Sequence, residues 1–365
     1  MNLQFDDLIK KEKQYLTKKK PHTKYKIEYV SKYVEKWCYI SSVSNAQTIN
    51  FIDCMCNAGI YTDGGFCSAT KVLITFCSIP RNHPEKTFNI FLNDYKQDKI
   101  RIIKDVFKKV CPSMPLNLHV YYEVMDVNNY LIYLLKNQNT FSFPSRTILY
   151  VDPYSFHTVI IETLQRFMKR IYCELLFNLF TSDYSRNKND KGIIRVLGGV
   201  YDINSTSELI GFIKGKLKVG NIRYFFNYPF RHSKNVELYQ ILFATPQLAG
   251  LDALKTILWD VFGGTKFYQT DTNKENGQLS LFSQKEDKTM NATFYSPDAM
   301  DLLISTFKGK NVEYKNIESF MIENTLFTST NIIEYVIKPL IKTNKIQKQN
   351  LYGKTNYKKD TYYFC

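Results

Sequence analysis

Apolar positions recur along the chain in two periods. In KYKIEYVSKYVEKWCYI, the residues Ile27, Val30, Tyr33, Val34 and Trp37 fall three or four apart, which places them on one face of a helix. Beyond it, short apolar runs alternate with stretches of helical spacing. QTINFID, TFNIFLND, LHVYYEVMD, RTILYVD and CELLFNLF read as strands; CSATKVLITFC, YKQDKIRIIKDVFKKV, NNYLIYLLKN and VIIETLQRFMKR, which lie between them, read as helices. Such alternation with short connections predicts a parallel sheet covered by helices on both faces.

After a helix at about 206–218 the pattern changes. IRYFFNYPF and VELYQILFAT are separated only by RHSKN, too short for a crossover, so the two strands form an antiparallel hairpin. Five parallel strands closed by such a hairpin are the layout of the class I methyltransferase-like (Rossmann-like) α/β fold, with a seven-stranded sheet. The helix LAGLDALKTILWDVFG is expected to complete this domain, over 23–263, behind a basic segment at 1–22. Residues 264–295 are polar and read as a linker or insertion. From SPDAMDLLISTFKG onward, three helices and two short strands around LYGKTNYKKD predict a winged-helix domain over 296–365, a module that reads nucleic acid or docks proteins.

Composition adds a partner to this picture. The 365 residues carry a formal net charge of +15, which favours a polyanion, and 27 Tyr and 26 Phe supply rings for stacking on bases as well as for core. The candidate phosphate contacts are Lys18, Lys19, Lys20, Lys24 and Lys26 in KKKPHTKYK, together with Lys354, Lys358 and Lys359. The N-terminus has no apolar signal core and no stretch approaches a membrane span, so a cytoplasmic protein without a membrane partner is expected. The eight cysteines, Cys38, Cys54, Cys56, Cys67, Cys77, Cys111, Cys173 and Cys365, lack zinc spacing and read as buried thiols of a reducing compartment. Cys54 and Cys56 point the same way on an extended segment, but no further ligand accompanies them and no metal is expected.

In open α/β sheets, ligands sit at the carboxyl ends of the strands. There the first three strands carry Asp53, Asp94 and Asp126. Each alone can be a helix cap; three acids on one edge point to a nucleoside cofactor. Asp94 is placed to accept from ribose hydroxyls and Asp126 from an adenine amine. The absence of GxGxxG and the acidic rim disfavour a pyrophosphate and suit the cationic S-adenosylmethionine. The fourth strand ends in VDPYSF, where Asp152, Pro153 and Tyr154 resemble the (Asp/Asn)-Pro-Pro-(Tyr/Phe) turn with which some enzymes hold and methylate the exocyclic amine of a base, though with one proline instead of two.

In combination, PHTKYKIEYVSKYVEKW, FIDCMCNAGIYTDGG, FLNDY, VMDVN, ILYVDPYSF, CELLFNL with Asn178, the hairpin and GQLSLF resemble the three-Cys-motif partner proteins, from about residue 20 to the C-terminus. The resemblance implies cofactor-binding roles for Asp53, Gly59, Asp94, Asp126 and Asn128, a substrate turn at Asp152, Pro153 and Tyr154, and a neighbouring three-cysteine protein of radical-SAM type as partner. The family's turn would read FAGPGRY, where this chain has Cys56 and Asn57; asparagine tolerates positive φ, so the loop can still form, and Asn57 is expected among the cofactor-binding residues. CSA at 67–69 likewise replaces GSP. Two functions follow as expectations: an S-adenosylmethionine-dependent methyltransferase acting on RNA or DNA, or an adaptor of the same fold that binds nucleic acid or a partner protein without turnover, in a setting such as phage defence.

Overall fold

A computed structural model describes residues 5–142, 144–187, 190–232, 234–269, 284–349 and 356–365. These fall into two compact units, one within 1–247 plus 267–272, the other within 248–266 plus 273–365.

The first unit is α/β. Its strands are β1 (Thr48–Asp53), β2 (Thr87–Asn93), β3 (Leu118–Glu123), β4 (Ser145–Val151), β5 (Cys173–Leu179), β6 (Tyr224–Arg231), β7 (Glu237–Thr245) and β8 (Tyr268–Gln269). They form one sheet in the order β3-β2-β1-β4-β5-β7-β6-β8. β1 to β5 pair parallel to one another, and β7 runs antiparallel to both β5 and β6. The sheet therefore has eight described strands where seven were expected. The addition, β8, pairs parallel with the end of β6, Tyr268 opposite Phe230. The central strands are buried almost throughout because helices cover both faces, whereas β3, at the edge, alternates.

The helices are α1 (Asp6–Glu12), α2 (Pro21–Ser42), α3 (Ser68–Ser78), α4 (Gln97–Val110), α5 (Val127–Lys136), α6 (Ile161–Arg170), α7 (Thr181–Asn187), α8 (Lys191–Leu197) and α9 (Thr206–Leu217). The face predicted for α2 is the buried one: Ile27, Val30, Tyr33, Val34 and Trp37 are all in the core. Cys77, in α3, and Cys111, just after α4, are bonded to each other, which corrects the reading of all eight cysteines as thiols; the other six are free.

The second unit begins earlier than expected. Helix Leu248–Phe262 belongs to it, because Lys255 donates to the carbonyls of Ile322 and Thr325, the Trp259 indole donates to Leu326 O (2.7 Å), and Asp252 accepts from Ser329 N–H (2.9 Å). The stretch expected to be a linker is partly helical: one helix runs Gln284–Phe307. Residues 270–283 of that stretch, with the GQLSLF motif, lie outside the described residues. Helix Tyr314–Asn324 follows, then a π-helical turn, Ile333–Ile337, leading into Lys338–Lys342. Strands Ile346–Gln349 and Thr361–Phe364 pair antiparallel, and Asn311–Glu313 adds a third strand beside Thr361–Phe364. Among the described residues no helix is long and apolar enough to cross a membrane.

Candidate functional site

The carboxyl ends of β1 and β4 form the floor of a cleft of about 220 Å³. Asp53, the last residue of β1, is 2% exposed, and its Oδ1 accepts the Met55 N–H (3.1 Å). Burial, reinforced by the charges of Asp152 and Asp94, pushes its pKa up to about 8. The turn that follows uses positive φ at Asn57 (59°) and Gly59 (81°), so asparagine at position 57 is accommodated as expected. A Cβ at Gly59 would come within 2.9 Å of Ile103 Cγ1, and the Gly59 carbonyl accepts from the Thr70 hydroxyl (2.7 Å).

Asp94, after β2, is 1% exposed. Its Oδ1 accepts the Lys96 N–H (3.0 Å) and its Oδ2 the Asn57 N–H (3.3 Å), while Lys99 Nζ stands 3.8 Å from Oδ2. Lys99 also donates to the Tyr154 hydroxyl and lies 4.7 Å from the centroid of that ring. Burial pulls the Lys99 pKa below its ordinary value, and Asp94 opposes the shift. Both ribose acceptors expected of Asp94 are thus engaged within the loop, and Lys99 lies against the carboxylate.

Asp152, after β4, is met in the same way. Lys26 Nζ, from α2, donates to both of its oxygens (2.8 and 2.6 Å), Asn178 Nδ2 to Oδ1 (2.7 Å) and the Tyr150 hydroxyl to Oδ2 (3.2 Å). Lys26 is therefore the counter-ion of Asp152 at the cleft. Pro153 is buried; Tyr154 is 49% exposed and lines the cleft.

Asp126 and Asn128 do not line the cleft. Asp126 caps α5, its Oδ1 accepting the backbone N–H groups of Asn128 (2.9 Å) and Asn129 (3.4 Å). Asn128 ties the loop after β4, donating to Thr158 O (3.1 Å) and accepting from Ile160 N–H (2.9 Å).

Of the remaining lysines, Lys18 and Lys20 are exposed and line the cleft, Lys19 pairs with Asp63 (2.7 Å), and Lys24 projects from α2. Lys358 and Lys359 are exposed in a turn of the second unit, and Lys354 lies outside the described residues. The N-terminal segment does more than carry charge. Phe5, Leu8, Ile9 and Leu16 pack with Ala58, Ile60, Ile102 and Val106, Glu12 forms a two-point pair with Arg101 (2.8 and 2.7 Å), and Thr17 bonds the Asn57 side chain. The spacing 5, 8, 9, 12, 16 was the helical signal for this strap. Tyr150 and Lys99 carried no local signal for their roles, and Asn178 stood out only through the resemblance.

Each oxygen of Asp94 thus already accepts one backbone N–H, Asp152 holds Lys26, and Lys18 and Lys20 line the cleft. Among the described residues no group of His, Cys, Asp and Glu is gathered to hold a metal ion. No protein-family model and no curated protein matches this sequence.

Proposed function

We propose that the chain is a methyltransferase-fold protein that binds nucleic acid and whose methyl-donor site is closed by its own lysines. The observation that carries this reading is the double replacement: Asp94 is faced by Lys99 and Asp152 is gripped by Lys26. The strand order, with five parallel strands and the antiparallel β6–β7 pair, supports the methyltransferase ancestry. The resemblance to three-Cys-motif partner proteins supports it too, and is the sole basis for naming a three-cysteine radical-SAM-type partner or a defence role. Nucleic acid is favoured by the net charge of +15 and by exposed Lys18, Lys20 and Lys24, none of them ion-paired among the described residues. The second unit, read as a winged helix, would add Lys358 and Lys359.

Fluorescence anisotropy with a labelled oligonucleotide, RNA and DNA in turn, tests this across salt concentrations. Binding should weaken steeply with salt, and Lys18→Gln with Lys20→Gln should reduce the log–log slope by roughly 0.7–0.9 for each phosphate no longer neutralised. Affinity that stays flat from low to physiological salt would refute it. A second reading, methyl transfer to an exocyclic base amine at Asp152, Pro153 and Tyr154, is favoured by the positive-φ turn at Asn57 and Gly59, which preserves close backbone approach. It requires Lys26 and Lys99 to leave their carboxylates first.

A further inference from the structure

The two ends of the sheet are protected differently. At one end β6 carries Pro229, which has no N–H to offer a further strand, and β8 pairs with its last residues. At the other end β3 has β2 on one side and, among the described residues, no strand on the other. Its sequence LHVYYE contains no proline, lysine or glycine, and its pairing with β2 runs in unbroken register over Leu118–Glu123. Tyr121 in the strand and Val124 just after it are 46% and 44% exposed. An edge of this kind is open to pairing with another strand.

The hydrogen bonds to β2 fix which backbone groups β3 leaves free. Phe88 N–H donates to Asn117 O (2.9 Å) and Asp94 N–H to Glu123 O (3.4 Å), so the odd-numbered residues turn their backbone toward β2. In a parallel ladder the alternate residues then face away, so the N–H and C=O groups of Val120, Tyr122 and Val124 point outward. Leu118 adds only its carbonyl, because its N–H donates to Pro115 O (3.1 Å). A second β3 running antiparallel must therefore oppose even residues to even and odd to odd. The register centred on Tyr121 does so over the whole strand: Val120 and Tyr122 exchange both bonds in each half, Leu118 meets Val124, and Tyr121 meets its own copy. The same register sets His119 opposite Glu123, an imidazole against a carboxylate on the tyrosine face. From this match we infer that the chain forms a two-fold homodimer through β3, antiparallel and centred on Tyr121, so that the two sheets become one. Self-complementarity within one strand is what an isologous interface requires, whereas a foreign strand would need no such match inside β3.

The test is sedimentation velocity of the full chain, without nucleic acid, over a dilution series from high to low micromolar. A dimer that dissociates on dilution is expected. Val120→Pro removes an outward N–H while leaving the bonds to β2 in place, and should give monomer at every concentration in the series. His119→Glu sets carboxylates opposite each other in both halves and should weaken the dimer roughly 5- to 30-fold; adding Glu123→Lys restores opposite charges and should recover association to within about 3-fold of wild type. His119 is exposed and Glu123 partly exposed, so this charge exchange decides by itself if Val120→Pro does not fold. A chain that is monomeric throughout, a dimer indifferent to a folded Val120→Pro or to His119→Glu, or one that the double variant does not recover, overturns the inference.

Discussion

Cutting the Lys26–Asp152 pair probes the contact that engages Asp152 at the cleft. The side chains are 11% and 23% exposed, so the pair lies between a solvent-screened surface bridge, worth about 0.2–1 kcal/mol, and a fully buried one, whose breaking costs about 3–5 kcal/mol. Lys26→Met keeps the apolar stem and leaves Asp152 with Asn178 and Tyr150 as donors, so a loss of about 1–3 kcal/mol is expected. Asp152→Asn should cost a similar amount, because it strands the Lys26 ammonium. The double variant should lose less than the sum, with a coupling energy of about 1–2 kcal/mol. Urea unfolding followed by tryptophan fluorescence can isolate the first unit: the chain has two tryptophans, so a Trp259→Phe background leaves Trp37 of α2 as the reporter. Strictly additive losses would mean that the pair contributes nothing and that the lysine does not hold the Asp152 carboxylate.

Three further outcomes follow from the same geometry. Asp53 binds its proton in the fold up to about pH 8 but releases it near pH 4 when unfolded; its stabilising contribution is therefore full below pH 4 and is lost as pH rises through 8. Asp53→Asn should flatten the fall in stability between pH 5 and 9, and parallel curves for variant and wild type would contradict this. Gly59→Ala should destabilise the first unit by about 1–3 kcal/mol in the same urea assay, since φ is 81° and Ile103 and Thr70 crowd the site; an unchanged midpoint would show that the turn relaxes. At Asn57, with φ of 59°, Asn57→Ala should cost about 1–2 kcal/mol, while Asn57→Gly removes the left-handed penalty and should cost less; the reverse order would be inconsistent with that penalty.

The parts of the fold legible in the sequence are those whose cause is local. β1, β2, β4 and β5 announce themselves because both faces of the sheet are covered, which makes each largely apolar, interrupted by the buried Asn50, Asn89, Thr147 and Glu174. The hairpin is legible from its short connection. β8 is not: two residues carry no period, and Tyr268 joins the sheet only because the edge of β6 is there to pair with it. Helix Gln284–Phe307 is hidden by a polar first half and by Pro297 inside it. At the site, the sequence identifies the acids at strand ends and the turn between them. It does not show what those acids touch, since Lys26 and Asp152 are 126 positions apart and meet only through the packing of α2 against the sheet. Asp126 shows the ordinary role of an acid at a strand end: its carboxylate caps α5.

Titration of the full chain with S-adenosylhomocysteine in a calorimeter tests the central claim most directly. With Asp94 engaged by Lys96, Asn57 and Lys99 and Asp152 by Lys26, no saturable heat is predicted up to millimolar ligand, and none should emerge at lower salt, where the lysine–carboxylate pairs are stronger. Micromolar binding that Asp94→Ala abolishes would contradict the account, because it would show that the lysines yield and that the donor site is open.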